Sequence, residues 1–126
     1  MKIAIYWEQF SWGGVDTHIL TLLKYWNKKD KIYIFVNEGN LGFQRIEDSI
    51  KLLDNVIVIN ISKKSIINPS DVYLLKLLKV VFRPLLFIAS IYKTTLILKK
   101  YGGFDVLLSE NGGYPAAWGC LAAIFA

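Results

Sequence analysis

The chain has 126 residues, of which 54% are hydrophobic and 20% are charged. That length suits one domain with its own core, and the apolar content excludes a disordered chain. Fifteen Lys and Arg against ten Asp and Glu give a net charge of +5, which is compatible with anionic ligands, anionic lipid head groups or nucleic acid.

The first two strands flank a helix. Residues 2–7, KIAIYW, form a short apolar run that predicts a strand buried on both faces of a parallel sheet. The run is too short for the core of a signal peptide. After the loop EQFSWGG, apolar side chains recur at helical spacing from Val15 to Trp26, which predicts an amphipathic helix. A second strand is predicted at 31–37, and Asn and Gly residues after it indicate a loop.

The middle of the chain repeats this order and then departs from it. Apolar side chains at helical spacing predict a helix at 43–53, and NVIVINI predicts a third strand at about 55–61. A longer helical stretch begins near Ser70 and runs to Lys100. Pro84 should kink or split this helix, because proline lacks the N–H that a helix interior needs.

A fourth strand is predicted at 104–109, and the small residues after it predict a helix that opens near Pro115 or Ala116. Strands and helices therefore alternate along most of the chain. This alternation predicts an α/β fold, a Rossmann-like parallel sheet in the order 3-2-1-4 with helices on both faces.

Two glycine pairs follow strands that are neighbours in this order. Gly13 and Gly14 follow the first strand, and Gly112 and Gly113 follow the fourth. Ligands of open α/β sheets bind outside the carboxyl ends of the strands, so both loops should flank one crevice. The N–H groups of Gly13 and Gly14 and the positive end of the helix dipole would face an anion such as phosphate. The alternative is that these glycines only form a tight turn, and the segment matches neither the dinucleotide fingerprint nor the Walker A loop.

Polar side chains near these loops are candidate ligand contacts. His18, the single histidine, lies one turn into the first helix, either as a packed core residue or as part of the site. Glu110 and Asn111 leave the fourth strand and are expected to bind substrate hydroxyls, unless they are ordinary loop residues. As a general acid or base, Glu110 would need a partner that the sequence does not supply. With one His and one Cys, no metal site and no cofactor are predicted.

A basic helix is the clearest surface feature. Lys76, Lys79 and Arg83 are spaced at i, i+3 and i+7 among Leu, Val and Phe, which is typical of a helix on an anionic membrane surface. The alternative is a helix buried against the sheet with a solvated basic side. Nucleic-acid binding is not expected, because stacking aromatic residues do not alternate with these cations. Cys120 is expected to be a buried hydrophobic residue. Because one cysteine cannot form a disulfide framework, we predict a cytoplasmic protein. The basic helix adds the prediction that it is peripheral at the inner face of the membrane.

The opening stretch MKIAIYWEQFSWGGVDTHILTLLKYWNKKDKIYIFVN resembles the start of GT-B glycosyltransferases of the family 4 type. Gly13, Gly14, Val15, Asp16 and His18 carry the resemblance, and FDVLLSENGGYPAAW is similar to the family's fourth-strand region. The resemblance implies the N-terminal, acceptor-side half of a GT-B fold. The whole enzyme would transfer a sugar from a nucleotide-sugar to a glycan or lipid-linked acceptor, without a metal and with retention of configuration.

The resemblance also implies roles for particular residues. Gly13 and Gly14 would approach the donor diphosphate, and the cleft would be lined by His18, Ser109, Glu110, Asn111, Gly112 and Gly113. Ser109 stands where many relatives have a histidine. The family's donor-binding motifs lie in a second domain, so residues 1–126 are expected to be a truncated N-terminal domain that is inactive alone. The alternatives are a non-catalytic nucleotide- or membrane-binding module and a GT-B sugar-nucleotide epimerase.

Overall fold

The computed structural model describes residues 1–9, 13–62, 72–111 and 118–126, with Lys76, Asn111 and Trp118 described by their backbone alone. The elements in chain order are β1 Lys2–Glu8, α1 Val15–Tyr25, β2 Lys31–Asn37, α2 Leu41–Lys51, β3 Val56–Ile61, α3 Tyr73–Val81, α4 Arg83–Lys100, β4 Val106–Asn111 and α5 Trp118–Ile124. Strands and helices alternate up to β3, and two successive helices then precede β4.

The strands of the described ranges form one parallel sheet in the order β3-β2-β1-β4, which confirms the predicted order. In this sheet Trp7 of β1 lies opposite Val36 of β2 and Glu110 of β4. Because the strands run in one direction, their carboxyl ends meet at one edge of the sheet. The chain therefore leaves β1 and β4 from neighbouring positions on that edge.

Side chains alternate between two cores, one on each face of the sheet. One face packs under α1 and α2, and its buried residues are Ile3, Ile5, Trp7, Ile19, Leu23, Ile32, Ile34, Val36, Phe43, Ile46 and Ile50. The other packs under α4 and α5, and its buried residues are Ala4, Tyr6, Tyr33, Phe35, Ile59, Ile61, Leu98, Cys120 and Ala123. Helices cover both faces, and Cys120 is buried, as the sequence predicts.

The fourth strand spans Val106–Asn111 rather than residues 104–109, so Glu110 lies within the strand and not after it. Phe104 packs instead against the core under α4 and α5. The Asp105 N–H donates to the Lys2 carbonyl at 2.7 Å, and the Asp105 carboxylate accepts from the Lys2 N–H at 2.6 Å. These contacts fix the turn before β4, so an aromatic residue that fits the strand pattern belongs to the turn.

The long helical stretch divides at Phe82 into α3 and α4, which confirms the break predicted at Pro84. Pro84 lies in the first turn of α4, where a missing N–H removes no intrahelical hydrogen bond. Hydrogen bonds still cross the junction: the Phe82 N–H donates to the Leu78 carbonyl at 2.9 Å, and the Leu86 N–H donates to the Phe82 carbonyl at 3.0 Å. Within the described ranges, no helix combines the length and apolar character that crossing a bilayer requires.

Candidate functional site

The candidate site lies where β1 and β4 end side by side and α1 begins. Glu110 follows Leu108 on the face of β4 that packs under α1. There the His18 Nε2 lies 3.5 Å from the Glu110 Oε1, with side chains that are 59% and 22% exposed. The expectation that Glu110 lacks a partner is therefore wrong. The register of β4 against β1 turns Glu110 toward α1, and His18 meets it one turn into that helix.

Gly14 precedes α1 with φ −85° and ψ 8°, a backbone conformation open to any residue. A Cβ at Gly14 would have no neighbouring atom within 4 Å. The Gly14 carbonyl accepts the His18 N–H at 3.3 Å, whereas among the described residues no acceptor engages the N–H of Gly13 or Gly14. Backbone geometry does not require glycine at position 14, so the tight-turn alternative has no support there.

Asp16 joins α1 to α2 beside this helix start. Its side chain is only 3% exposed, and its Oδ2 lies 3.0 Å from the Arg45 Nη1. The other oxygen, Oδ1, is buried and accepts no hydrogen bond from the part of the chain that the structure describes. A carboxylate in the first turn of a helix interacts favourably with the helix dipole. Asp16 therefore holds the first turn of α1 in place against α2.

A buried amide network fixes the carboxyl ends of β1 and β2. The Asn37 Oδ1 accepts the Gln9 N–H at 2.8 Å, and the Asn40 Nδ2 donates to the same Asn37 Oδ1 at 3.0 Å. The Trp7 Nε1 donates to the Gln9 Oε1 at 3.0 Å. The Asn40 Oδ1 accepts the Phe43 N–H at 2.8 Å and so caps α2. These hydrogen bonds hold the ends of β1 and β2 and the start of α2 in a fixed arrangement below the candidate site.

The opposite face of the same edge carries a second polar group. The Ser109 Oγ donates to the Cys120 carbonyl at 2.8 Å, and the Cys120 N–H donates to the buried Glu8 Oε2 at 3.2 Å. These bonds attach α5 to β1 and β4. Ser109 therefore faces α5, while the neighbouring Glu110 faces α1. Burial and the negative charge of Glu8 raise the pKa of Tyr6 on this face.

A shallow, mostly apolar groove of about 510 Å³ runs along the outer side of α1. It is lined by His18, Thr21, Leu22, Tyr25, Trp26 and Asn27. His18 is thus shared between this groove and the pair with Glu110. The groove offers apolar and aromatic surface next to the pair.

Several predicted features lie outside the described residues. They are Gly112, Gly113, the side chains of Asn111 and Lys76, and the helix start near Pro115 or Ala116. The remaining predicted cations belong to another part of the molecule, since Lys79 and Arg83 lie at the junction of α3 and α4. The predicted site residues therefore fall into separate groups.

The buried polar residues at this edge that were not predicted include Glu8, Asp16 and Asn40. Two of them carry signals in the sequence. Glu8 ends a strand that is otherwise apolar after its first residue, and Asn40 lies shortly before the stretch of helical spacing that begins at residue 43, where an N-cap residue is expected. Asp16 has no such signal, because its burial depends on the approach of α2.

The fold and the site together define an α/β protein with a Rossmann-like parallel sheet and polar groups at its carboxyl edge. Among the described residues, no group of three or more His, Cys, Asp or Glu side chains is placed to hold a metal ion. Comparisons with protein-family models, with curated proteins and with solved structures found no match. The resemblance to glycosyltransferases therefore stays a prediction from the sequence.

Proposed function

We propose that the chain is the acceptor-side domain of a GT-B type glycosyltransferase, which transfers a sugar from a nucleotide-sugar to a glycan or lipid-linked acceptor. One observation supports this most: the His18–Glu110 pair and the open N-terminus of α1 lie together at the carboxyl edge of the sheet. Ligands of such sheets bind at this edge. The resemblance of the segment from Gly13 to His18 adds the reaction class.

The N-terminus of α1 would interact with the donor. Its N–H groups and the helix dipole would stabilise negative charge that develops on the departing nucleotide diphosphate. The open space in front of Gly14 allows a phosphate to approach the backbone closely. Asp16 is paired with Arg45 beside this helix start, which limits its repulsion of the diphosphate.

Glu110 would interact with the acceptor. A carboxylate accepts hydrogen bonds from sugar hydroxyls, and a nearby imidazole at 3.5 Å restricts its orientation. The groove along α1 begins at His18 and would hold apolar or ring-shaped parts of the acceptor. In this proposal Glu110 orients the attacking hydroxyl, and charge stabilisation comes from backbone N–H groups.

Binding can be tested on the chain itself, because His18 is its single histidine and its ring signals in NMR spectra are unambiguous. Titration with nucleoside diphosphates and nucleotide-sugars should shift these signals. Gly14→Val should abolish the shift, since its side chain fills the space in front of the helix. Gly103→Val is the matched control: Gly103 is equally open but precedes β4 at the other edge of the sheet. An unchanged response in Gly14→Val would contradict the proposal.

Catalysis is tested in the native protein that contains this chain, with labelled nucleotide-sugars and membrane or glycan acceptors. Gly14→Val should lower the transfer rate by about a hundredfold, because its side chain would keep the diphosphate away from the N–H groups that stabilise its developing charge. Gly103→Val should transfer at the normal rate. If nucleotide binding persists but no sugar is transferred to any acceptor, the non-catalytic binding module replaces this proposal.

A further inference from the structure

The solvent-facing side of α4 is apolar, whereas the solvent-facing side of a surface helix is normally polar. Leu85, Ile88, Tyr92 and Leu96 recur at intervals of three and four residues and are between 50% and 66% exposed. The opposite side of the same helix buries Ser90, Thr94 and Leu98. An amphipathic helix on a protein surface normally has the reverse arrangement. The outer stripe of α4 is therefore built for an apolar environment.

The preceding helix extends this surface. From Tyr73 to Phe82, every apolar side chain is at least 44% exposed. Among the described elements, α3 packs mainly on α4 and leaves the rest of its surface uncovered. Soluble monomers rarely expose a contiguous apolar area of this kind. We name α3 together with the outer stripe of α4 the α3–α4 apolar surface.

The charge of the same segment has one sign. Between Val72 and Phe104 the sequence contains no Asp or Glu and six cations, which are Lys76, Lys79, Arg83, Lys93, Lys99 and Lys100. Lys79 and Arg83 are half-buried, while Lys93, Lys99 and Lys100 are exposed. Long basic side chains can lie along apolar surface while their charged ends reach a polar boundary. Apolar side chains and cations on one segment match an anionic lipid surface.

A second copy of the chain fits this surface less well. A symmetric dimer would place the same surface on both sides of the interface and so bring the exposed cations of this segment close to those of the other copy. An anionic bilayer instead supplies both the acyl boundary for the apolar side chains and the opposite charge. We infer that the α3–α4 apolar surface docks on an anionic lipid bilayer and lies in its interface. This inference is independent of the proposed sugar transfer.

The test is co-sedimentation of the chain with phosphatidylcholine vesicles, with and without phosphatidylglycerol. One variant replaces the stripe, Leu85→Gln, Ile88→Gln, Tyr92→Gln and Leu96→Gln, and a second is Lys76→Gln, Lys79→Gln and Arg83→Gln. The matched control is Lys24→Gln, Lys28→Gln and Lys29→Gln, which removes the same charge from exposed positions at the end of α1 and after it. Circular dichroism establishes that each variant is folded.

We expect binding to phosphatidylglycerol vesicles only, weakened by salt because ions screen the attraction. The stripe variant and the triple variant of Lys76, Lys79 and Arg83 should each bind at least about tenfold more weakly than the parent. The control variant should bind within about twofold of the parent. Three results would overturn the inference: no vesicle binding, equal loss in the control variant, or stripe-dependent dimerisation without lipid, seen by sedimentation velocity. The last would assign the surface to a second copy.

Discussion

Two glycines at helix starts meet different physical requirements. Gly14 precedes α1 with open space beyond its Cα, so its lack of a side chain leaves room for a ligand. Gly42, in the first turn of α2, lies against the core: an added Cβ would be 2.5 Å from the Gln9 Oε1 and 2.7 Å from the Trp7 Cζ2. Only Gly42 is therefore needed for packing.

Gly42→Ala tests this distinction through stability. Alanine normally stabilises a helix relative to glycine, by about 0.5–1 kcal/mol. Here we expect a loss of about 1–3 kcal/mol in the free energy of unfolding, because the methyl group overpacks a buried site that includes the indole of Trp7. Urea unfolding followed by circular dichroism measures the change. Gly103→Ala, at an open position, is the control, and a Gly42→Ala protein as stable as the parent would refute the packing role.

At the scale of elements, the cap of α2 connects local structure to the site. Asn40 is buried, its Oδ1 caps the helix at Phe43, and its Nδ2 donates to the Trp7 carbonyl at 3.3 Å as well as to Asn37. One side chain thus satisfies a helix terminus and the carboxyl ends of two strands. This explains why α2 begins at Leu41, earlier than the apolar spacing from residue 43 suggests.

Replacing Asn40 separates these two roles. Asn40→Ala removes the cap and leaves buried partners without hydrogen bonds, so we expect a loss of about 2 kcal/mol or more in the free energy of unfolding. Asn40→Ser retains a capping oxygen and should lose less. Urea titration gives both values. Equal losses in the two variants would show that the cap contributes nothing, and a loss below about 0.5 kcal/mol in Asn40→Ala would refute both roles.

At the scale of the whole molecule, the sheet order follows from the sequence, whereas the pairing at the site does not. Alternating strands and helices allow few topologies, since crossovers between parallel strands are right-handed, and the predicted order is confirmed. The His18–Glu110 contact depends on which face of β4 lies under α1. Successive residues of a strand point to opposite faces, so Glu110 meets His18 whereas the neighbouring Ser109 bonds to α5. Strand register sets this face, and periodicity in one strand does not define register.

The stability of the fold depends on pH through a tyrosine in the core under α4 and α5. Tyr6 is fully buried and hydrogen-bonds to Thr94, and burial with the charge of Glu8 raises its pKa above the ordinary value of 10.0. In the unfolded chain the phenol ionises near pH 10, whereas in the folded protein it stays protonated. The stability from this difference is complete below about pH 10 and is lost as pH rises further.

We therefore expect the free energy of unfolding to fall above about pH 10, with Tyr6 contributing up to about 1.4 kcal/mol per pH unit. Tyr6→Phe should lose some stability at neutral pH, from the missing hydrogen bond, and should show a shallower alkaline slope. Thr94→Val is the matched variant, because it removes the same hydrogen bond but keeps the phenol, so its slope should remain steep. Urea unfolding from neutral to alkaline pH measures these slopes. If Tyr6→Phe and Thr94→Val have the same alkaline slope as the parent, the buried phenol does not set the alkaline limit of the fold.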